Sequence, residues 1–189
     1  ILAFTGHKGL LGPQGTGGLY IRPGLNISSF IEGGTGSLSE QVYQPDFMPD
    51  KFESGTPNTP GIAGLGAGIE FIRETGIKEI HSHEQELTDT LLQGLRDIER
   101  VILYGPRDSN RQTAVVSFNI RERDCGEVSM LLDQKYGILC RSGLHCAPLA
   151  HRTLGTLRTG ACRISPGLYN TKDDIDKVVR AVYEIAISG

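Results

Sequence analysis

The sequence predicts a mixed fold of helices and strands, either α/β or α+β, and three features support this prediction. After residue 60, apolar stretches with helical spacing alternate with short segments rich in β-branched and aromatic residues. With 189 residues, the chain can bury a core without the help of disulfides or metals. Glycine occupies 25 positions and clusters in the first third, which indicates tight turns or a ligand that approaches the backbone closely.

The first third is expected to contain two strands and a long loop. Residues 1–4 look like the end of a buried strand, and Pro23-Gly24 stops a second strand at 17–22. Residues 27–55 form an irregular segment, and loops of this length are often functional. No initiator methionine precedes the first strand, so we expect the chain to be a piece of a longer protein.

The rest of the chain carries the signals of a small domain. Thr59 and Pro60 begin a helix, because a hydroxyl can cap the first turn and proline suits its first position. Asp124 caps a later helix, and the string that begins at Thr171 resembles a capping box. Strands are predicted at 101–104, 114–120, 138–140 and 161–164, and helices at 59–75, around 87–98, at 124–136 and after 171.

Composition excludes several classes of function. The 19 Lys and Arg residues against 22 Asp and Glu residues give a net charge of −3, which does not suit a nucleic-acid or anionic-membrane surface. No apolar run approaches the ~18 residues of a membrane span, and no signal peptide is visible. The four cysteines lack the spacing of a metal site, so we expect no metal and free thiols in a reducing, cytoplasmic compartment.

Two glycine-rich strings could bind a cofactor. Lys8 stands in a glycine-lined turn after the first strand, beside Thr5 and His7. A lysine amine can form a Schiff base with an aldehyde cofactor, and hydroxyl and imidazole groups can hold a phosphate; a solvated surface lysine is the alternative. The string Gly33-Gly34-Thr35-Gly36-Ser37 could offer backbone N–H groups to an anion, or it could be a flexible loop.

Two further residues could act on a substrate. Cys146 lies in a loop beside His145 and five residues after Arg141, and a neighbouring cation or imidazole favours the reactive thiolate; a buried structural thiol is the alternative. Arg163 interrupts an apolar strand, where a charge is costly unless it is paired. It could form an internal salt bridge or clamp a substrate carboxylate. The other three cysteines, at 125, 140 and 162, are expected to be inert structural thiols.

Four groups of strings, found in family order, resemble the class V aminotransferase family, in particular its cysteine desulfurases with a short catalytic loop. They span nearly the whole chain, and their order makes the resemblance more specific than any one string. They are Thr5-Gly6-His7-Lys8 with Gly12-Pro13 and Leu19-Tyr20, then Phe52-Glu53-Ser54-Gly55-Thr56-Pro57-Asn58, then Arg141 with His145-Cys146-Ala147-Pro148, and finally Arg163-Ile164-Ser165 with Leu168-Tyr169-Asn170-Thr171.

This resemblance implies the C-terminal part of a fold type I enzyme that uses pyridoxal 5'-phosphate. Lys8 would form the Schiff base with the cofactor, and Thr5 and His7 would bind its phosphate. Thr35 matches a position that reaches the phosphate from a neighbouring subunit, which implies a homodimer. Residues 1–55 would be a remnant of the large cofactor-binding domain, and residues 56–189 would be the small C-terminal α/β domain.

The resemblance also implies a substrate and a reaction. Arg163 would hold the carboxylate of L-cysteine, Arg141 would help to bind the substrate, and Cys146 would be the nucleophile. The products would be L-alanine and a persulfide on the cysteine, whose sulfur could pass to an acceptor protein.

Two alternatives stay open beside cysteine desulfurase. One is a selenocysteine lyase or another class V aminotransferase, and the other is an inactive fragment that serves only as a folded or oligomerising module. Because members of the family are about twice this length, these residues alone are expected to bind the cofactor weakly and to show little activity.

Overall fold

The chain is divided into two compact units in a computed structural model that describes residues 1–188. The first unit is Ile1–Ile77 and the second begins at Lys78, whereas the sequence suggests a boundary after residue 55. The helix that follows residue 58 belongs to the first unit because it packs on the glycine-rich turn: a Cβ on Gly12 would lie 2.8 Å from the Leu65 side chain. The interpretation of the first unit as a remnant of a larger domain stays a prediction.

The first unit begins with an antiparallel pair of strands. They are β1 (Leu2–Thr5) and β2 (Gly17–Tyr20). The expectation of a buried strand at residues 1–4 is wrong for the described chain, because Leu2 is 59% and Phe4 is 42% exposed. The physical reason is that two strands bury their apolar side chains only where another layer covers them.

The helix α1 (Thr59–Thr75) closes the first unit after an irregular segment that contains one 3-10 turn at Asp50–Phe52. Its N-cap is Asn58 instead of the predicted Thr59: the Asn58 side chain accepts a hydrogen bond from the Gly61 N–H at 3.1 Å. Its predicted end at Gly76 is confirmed. The cap lies one residue earlier than predicted, because the side-chain oxygen of asparagine accepts a hydrogen bond from a free N–H group of the first helical turn as well as a hydroxyl does.

The second unit is built on an antiparallel sheet that helices cover on one face. The elements are α2 (Ile77–Arg96), β3 (Val101–Tyr104), β4 (Val116–Ile120), α3 (Cys125–Tyr136), β5 (Arg141–Gly143), α4 (Pro148–Thr153), β6 (Ala161–Ile164) and α5 (Lys172–Ile187). The strand order is β3-β4-β6-β5, and the sheet residues Leu103, Phe118 and Cys162 share one buried core with helical residues.

The opposite face of this sheet carries polar side chains. Ser117 in β4 lies opposite Arg163 in β6, and Arg163 lies opposite Arg141 in β5. Directly opposed residues point to the same face, and successive residues point to opposite faces. Burial of Phe118 and Cys162 in the core therefore fixes the two arginines on the other face.

The strand predicted at 138–140 is wrong, because that segment closes the preceding helix. Gly137 adopts a left-handed conformation with φ 63°, and the N–H of Ile138 donates to the carbonyl of Leu132 at 2.9 Å. Leu139 is 84% exposed, so it is not a sheet-core residue. The strand begins only at Arg141, inside the segment predicted to be a loop.

The predicted starts of the last two long helices are confirmed. The Asp124 carboxylate accepts hydrogen bonds from the N–H groups of Gly126 and Glu127, and Thr171 and Asp174 form a reciprocal capping box. Among residues 1–188, no helix combines the length and apolar character that a membrane crossing needs.

We expect the capping box to stabilise the second unit in a pH-dependent manner. Hydrogen bonds from Thr171, and then from Asn170, hold the pKa of Asp174 below its ordinary value. Because the pKa of Asp174 is lower in the folded protein, its carboxylate contributes fully to the free energy of unfolding above the ordinary aspartate pKa of about 3.9. This contribution is lost as the pH falls through the pKa that Asp174 has in the folded protein. Asp174→Ala should therefore lower the free energy of unfolding at neutral pH, and its difference from the wild type should narrow below about pH 4.

Urea unfolding followed by circular dichroism at both pH values measures this difference. An equal loss of stability in Asp174→Ala at neutral and at acidic pH would contradict the role assigned to the ionised carboxylate.

Candidate active site

Lys8 lies in a tight turn that follows β1. The N–H of Gly6 donates to the Thr16 carbonyl at 2.8 Å, and the N–H of Gly12 donates to the Gly6 carbonyl at 2.9 Å. The N–H of Leu11 donates to the carbonyl of Lys8 itself at 3.0 Å. These hydrogen bonds order the backbone of the turn and leave the Lys8 side chain exposed.

An open cavity of about 650 Å³ adjoins Lys8 within the first unit. Apart from Thr5 and Lys8, its lining consists of Phe4, Gly9, Leu10 and Ile69. Within residues 1–188, the side chains of Thr5, His7 and Lys8 make no hydrogen bond or ion pair. The Thr5 hydroxyl and the Lys8 amine, at a cavity of ligand size, fit the phosphate and aldehyde groups of pyridoxal phosphate, and the His7 imidazole between them in the sequence is a further group without a partner in the described chain.

Thr35 lies in the glycine-rich loop of residues 33–37. Its side chain is buried, and its hydroxyl donates to the carbonyl of Leu38 at 2.8 Å. The hydroxyl is therefore engaged within its own loop, and no hydrogen bond of the described residues joins it to the turn that carries Lys8. Its role toward a cofactor phosphate stays a prediction.

The same loop is fastened by residues that come later in the chain. The Gly33 carbonyl accepts hydrogen bonds from Gln44 Nε2 at 2.8 Å and from Ser54 Oγ at 2.7 Å. The Gly34 carbonyl accepts one from the N–H of Gly55 at 3.1 Å, and a Cβ on Gly34 would lie 2.8 Å from the Gly55 Cα. These contacts favour an ordered loop over the flexible one that the sequence alone allowed.

In the second unit, Arg141 and Arg163 form an unusual cross-strand pair of like charges. They lie directly opposite each other on one sheet face, where like charges are destabilising. Within residues 1–188, neither has an acidic partner, and the Arg163 Nε is buried without a hydrogen-bond partner. The internal salt bridge considered for Arg163 is therefore wrong for this part of the chain, and the pair suits an anionic ligand.

Cys146 lies next to this pair, in the turn between β5 and α4. The Arg141 Nη2 donates to the Cys146 Sγ at 3.6 Å, and the thiol is exposed. Strand pairing and this hydrogen bond thus connect Arg163, Arg141 and Cys146.

His145 is part of the same turn, and sequence reasoning gave it no role of its own. Its Nε2 lies 3.2 Å from the carbonyl oxygen of Arg141, and its ring centroid lies 5.4 Å from that of His151. Burial is the main reason why the pKa of His145 is lowered from its ordinary value; the positive charges of Arg163, His151 and Arg141 act in the same direction. This contact with the backbone leaves no signature in the sequence, which is why sequence reasoning missed it.

The other cysteines are free thiols as predicted, and they differ in burial. Cys125 and Cys162 are buried, which fits structural residues. Cys140 is half-buried and outside the sheet, and its Sγ lies 3.3 Å from the Ser129 Oγ. Its expected place in a strand was wrong, because the segment before Arg141 closes the preceding helix, whereas the inertness of the Cys140 thiol stays a prediction.

Comparison with known proteins assigns the family. The model of the Aminotransferase class-V family matches residues 1–178, so the chain belongs to this family. A relative from Methanothermobacter thermautotrophicus, described as a probable cysteine desulfurase, is 38% identical over 192 residues, which cover 99% of this chain and 48% of that protein.

Solved cysteine desulfurases have a similar fold. One from Thermococcus onnurineus aligns with a TM-score of 0.82 and 35% identity, over 97% of this chain and 46% of that one. One from Escherichia coli aligns with a TM-score of 0.84 and 32% identity, over 98% of this chain and 45% of that one. The predicted mixed α/β fold is thus confirmed, and the chain spans about half the length of the relatives that it matches.

Arg163 is expected to destabilise the folded protein. Since it faces Arg141 and has no acidic partner among the described residues, Arg163→Gln should leave the free energy of unfolding unchanged or raise it by up to about 1 kcal/mol. Arg100 is the matched control, because it pairs with Glu122 at 3.0 Å and donates to the Ala186 carbonyl at 3.0 Å. Arg100→Gln should lower that free energy by about 1 kcal/mol.

Urea denaturation of the two variants and the wild type provides the comparison. A larger loss of stability in Arg163→Gln than in Arg100→Gln would show that Arg163 has a stabilising partner.

Proposed function

We propose that these residues belong to a pyridoxal phosphate-dependent cysteine desulfurase, which converts L-cysteine to L-alanine and retains the sulfur as a persulfide on Cys146. The observation that carries this proposal is the exposed Cys146 thiol, 3.6 Å from Arg141, whose strand neighbour Arg163 has no acidic partner within residues 1–188. The chain covers about half of the cysteine desulfurases that it resembles, so the activity is proposed for a protein that contains these residues.

The paired arginines would bind the substrate. Arg163 would hold the carboxylate of L-cysteine, because its fork of N–H groups matches carboxylate geometry and its buried Nε lacks a partner. Arg141 would add a second positive charge and would keep its contact with the Cys146 sulfur. Fixing the substrate at its carboxylate supplies much of the catalytic advantage, since it converts an encounter into a positioned reaction.

The turn around Lys8 would hold the cofactor. Lys8 would bond the aldehyde group, and Thr5 and His7 would donate hydrogen bonds to the phosphate. When bound, pyridoxal phosphate supplies an electron sink for the carbon skeleton of the substrate. The Lys8 amine, released when the substrate takes its place, would move the proton at the substrate Cα.

Cys146 would take up the sulfur. Its thiolate attacks the sulfur atom of the substrate, a sulfur–sulfur bond forms, and the carbon–sulfur bond breaks. The electron pair of the broken bond stays with the carbon skeleton, which gains a proton and leaves as L-alanine. The sum of these changes is L-cysteine plus enzyme thiol giving L-alanine plus enzyme persulfide, so no external oxidant is needed.

The proposal also includes partners and a location. A second copy of the chain would place Thr35 near the cofactor phosphate in a homodimer, and an acceptor protein would remove the persulfide sulfur. The free thiols fit a reducing, cytoplasmic compartment.

Cys146 is expected to be essential for desulfuration. In a protein of the relatives' length that contains these residues, Cys146→Ser should reduce L-alanine formation from L-cysteine by at least about a hundredfold, because the attacking thiolate is removed. Cys140→Ser is the matched control and should retain activity. Alanine is quantified by chromatography.

If Cys146→Ser keeps its activity toward L-cysteine, this mechanism is wrong. If the same variant still releases selenium from selenocysteine or transfers amino groups, the protein is a selenocysteine lyase or another aminotransferase instead.

Lys8 is expected to bind the cofactor covalently. In a protein of the relatives' length that contains these residues, added pyridoxal phosphate should produce a visible absorption band, and borohydride reduction should attach the cofactor to the peptide that contains Lys8. Lys8→Ala should lose both signals, whereas Lys78→Ala, a change at another exposed lysine, should keep them.

Peptide mapping by mass spectrometry identifies the attachment point. Attachment at another lysine would refute the assignment to Lys8, and a featureless spectrum of the wild type would favour the inactive folded module.

A further inference from the structure

We infer that His145 is a positioning residue, whose side chain holds the strained turn that presents Cys146 to Arg141. The importance of this role for sulfur transfer rests on the proposed function, but the positioning itself can be measured without substrate or cofactor. Three observations support it: the backbone conformation, the hydrogen bond to Arg141, and the packing behind the imidazole.

The backbone of the turn is strained at two successive residues. His145 has φ 53° and Cys146 has φ 58°, the left-handed region that side chains other than glycine rarely adopt. Such a conformation persists only where surrounding contacts hold it, and it occurs often at functional sites. The N–H of Ala147 donates to the Leu144 carbonyl at 2.8 Å, which is one such contact.

The imidazole of His145 provides the second contact. Its Nε2 lies 3.2 Å from the Arg141 carbonyl oxygen, and a carbonyl can only accept, so the proton resides on Nε2. The guanidinium of the same Arg141 donates to the Cys146 Sγ at 3.6 Å. Arg141 is thus held at its backbone by His145 while its side chain contacts the neighbouring thiol.

The imidazole of His145 packs against a buried histidine, His151. His151 is 5% exposed, its Nδ1 lies 2.8 Å from the Thr156 Oγ1, and its ring lies against that of His145. Since burial and nearby positive charges disfavour protonation of His145, the ring is expected to be neutral at physiological pH, with its single N–H committed to Arg141.

Alkylation of Cys146 by iodoacetamide tests the role in the full chain. Because Cys146 is already exposed, a change in its alkylation rate would report a change in its contact with Arg141 and not a change in accessibility. His145→Ala and His145→Gly should slow alkylation of Cys146 about fivefold, the effect of losing one ordinary hydrogen bond. His145→Gln should keep a rate near that of the wild type, since its amide N–H reaches as far as Nε2.

The variants separate the hydrogen bond from the backbone strain. His145→Gly relieves the strain without providing the donor, so a wild-type rate in His145→Gly would overturn the proposal, as would a wild-type rate in His145→Ala or a slow His145→Gln. Peptide mapping follows each thiol, and alkylation of the buried Cys125 and Cys162 would reveal a variant that unfolds. If His145→Ala unfolds, the comparison of His145→Gly with His145→Gln is sufficient to test the positioning role of His145.

The outcome is independent of the proposed function. A protein that does not release sulfur from L-cysteine but shows the difference between Ala and Gln refutes the desulfurase and keeps the positioning role. A desulfurase without that difference refutes the positioning role alone.

Discussion

The site in the second unit depends on two positive charges that the fold forces together. Arg141 and Arg163 are directly opposed on neighbouring strands, with no acidic partner within residues 1–188. Such a pair is unfavourable in the free protein, and an anion that binds between the arginines relieves the repulsion and gives the buried Nε of Arg163 a partner. Under the proposed function, this repulsion would be one source of affinity for the substrate carboxylate.

The core on the other side of the sheet maintains this arrangement. Phe118 and Cys162 are fully buried against the helices, and a shift of register by one residue would bring the arginines into the core instead. The burial of a charged guanidinium without a partner is far costlier than the repulsion between two half-exposed ones. Hydrophobic packing on one face therefore fixes the electrostatics of the opposite face.

The sequence reveals those features that depend on local chemistry. The capping box at Thr171 and the strand at 161–164 carry short-range signals, and so do the candidate site residues Lys8, Cys146 and Arg163. The strand at 138–140 was misplaced because a left-handed Gly137 extends the closure of the helix to Ile138.

Long-range pairing is what sequence reasoning could not supply. The opposition of Arg141 to Arg163 depends on strand register, and neither residue type indicates its partner. The hydrogen bond from His145 to the Arg141 backbone depends on two left-handed residues that propensity disfavours. In a protein of the relatives' length that contains these residues, mass spectrometry of the Cys146 peptide after addition of L-cysteine and pyridoxal phosphate shows whether this cysteine accepts the sulfur. We predict the mass of one added sulfur atom on Cys146 and none on Cys140, whereas alanine formation with an unmodified Cys146, or with sulfur on another cysteine, would contradict the proposed reaction.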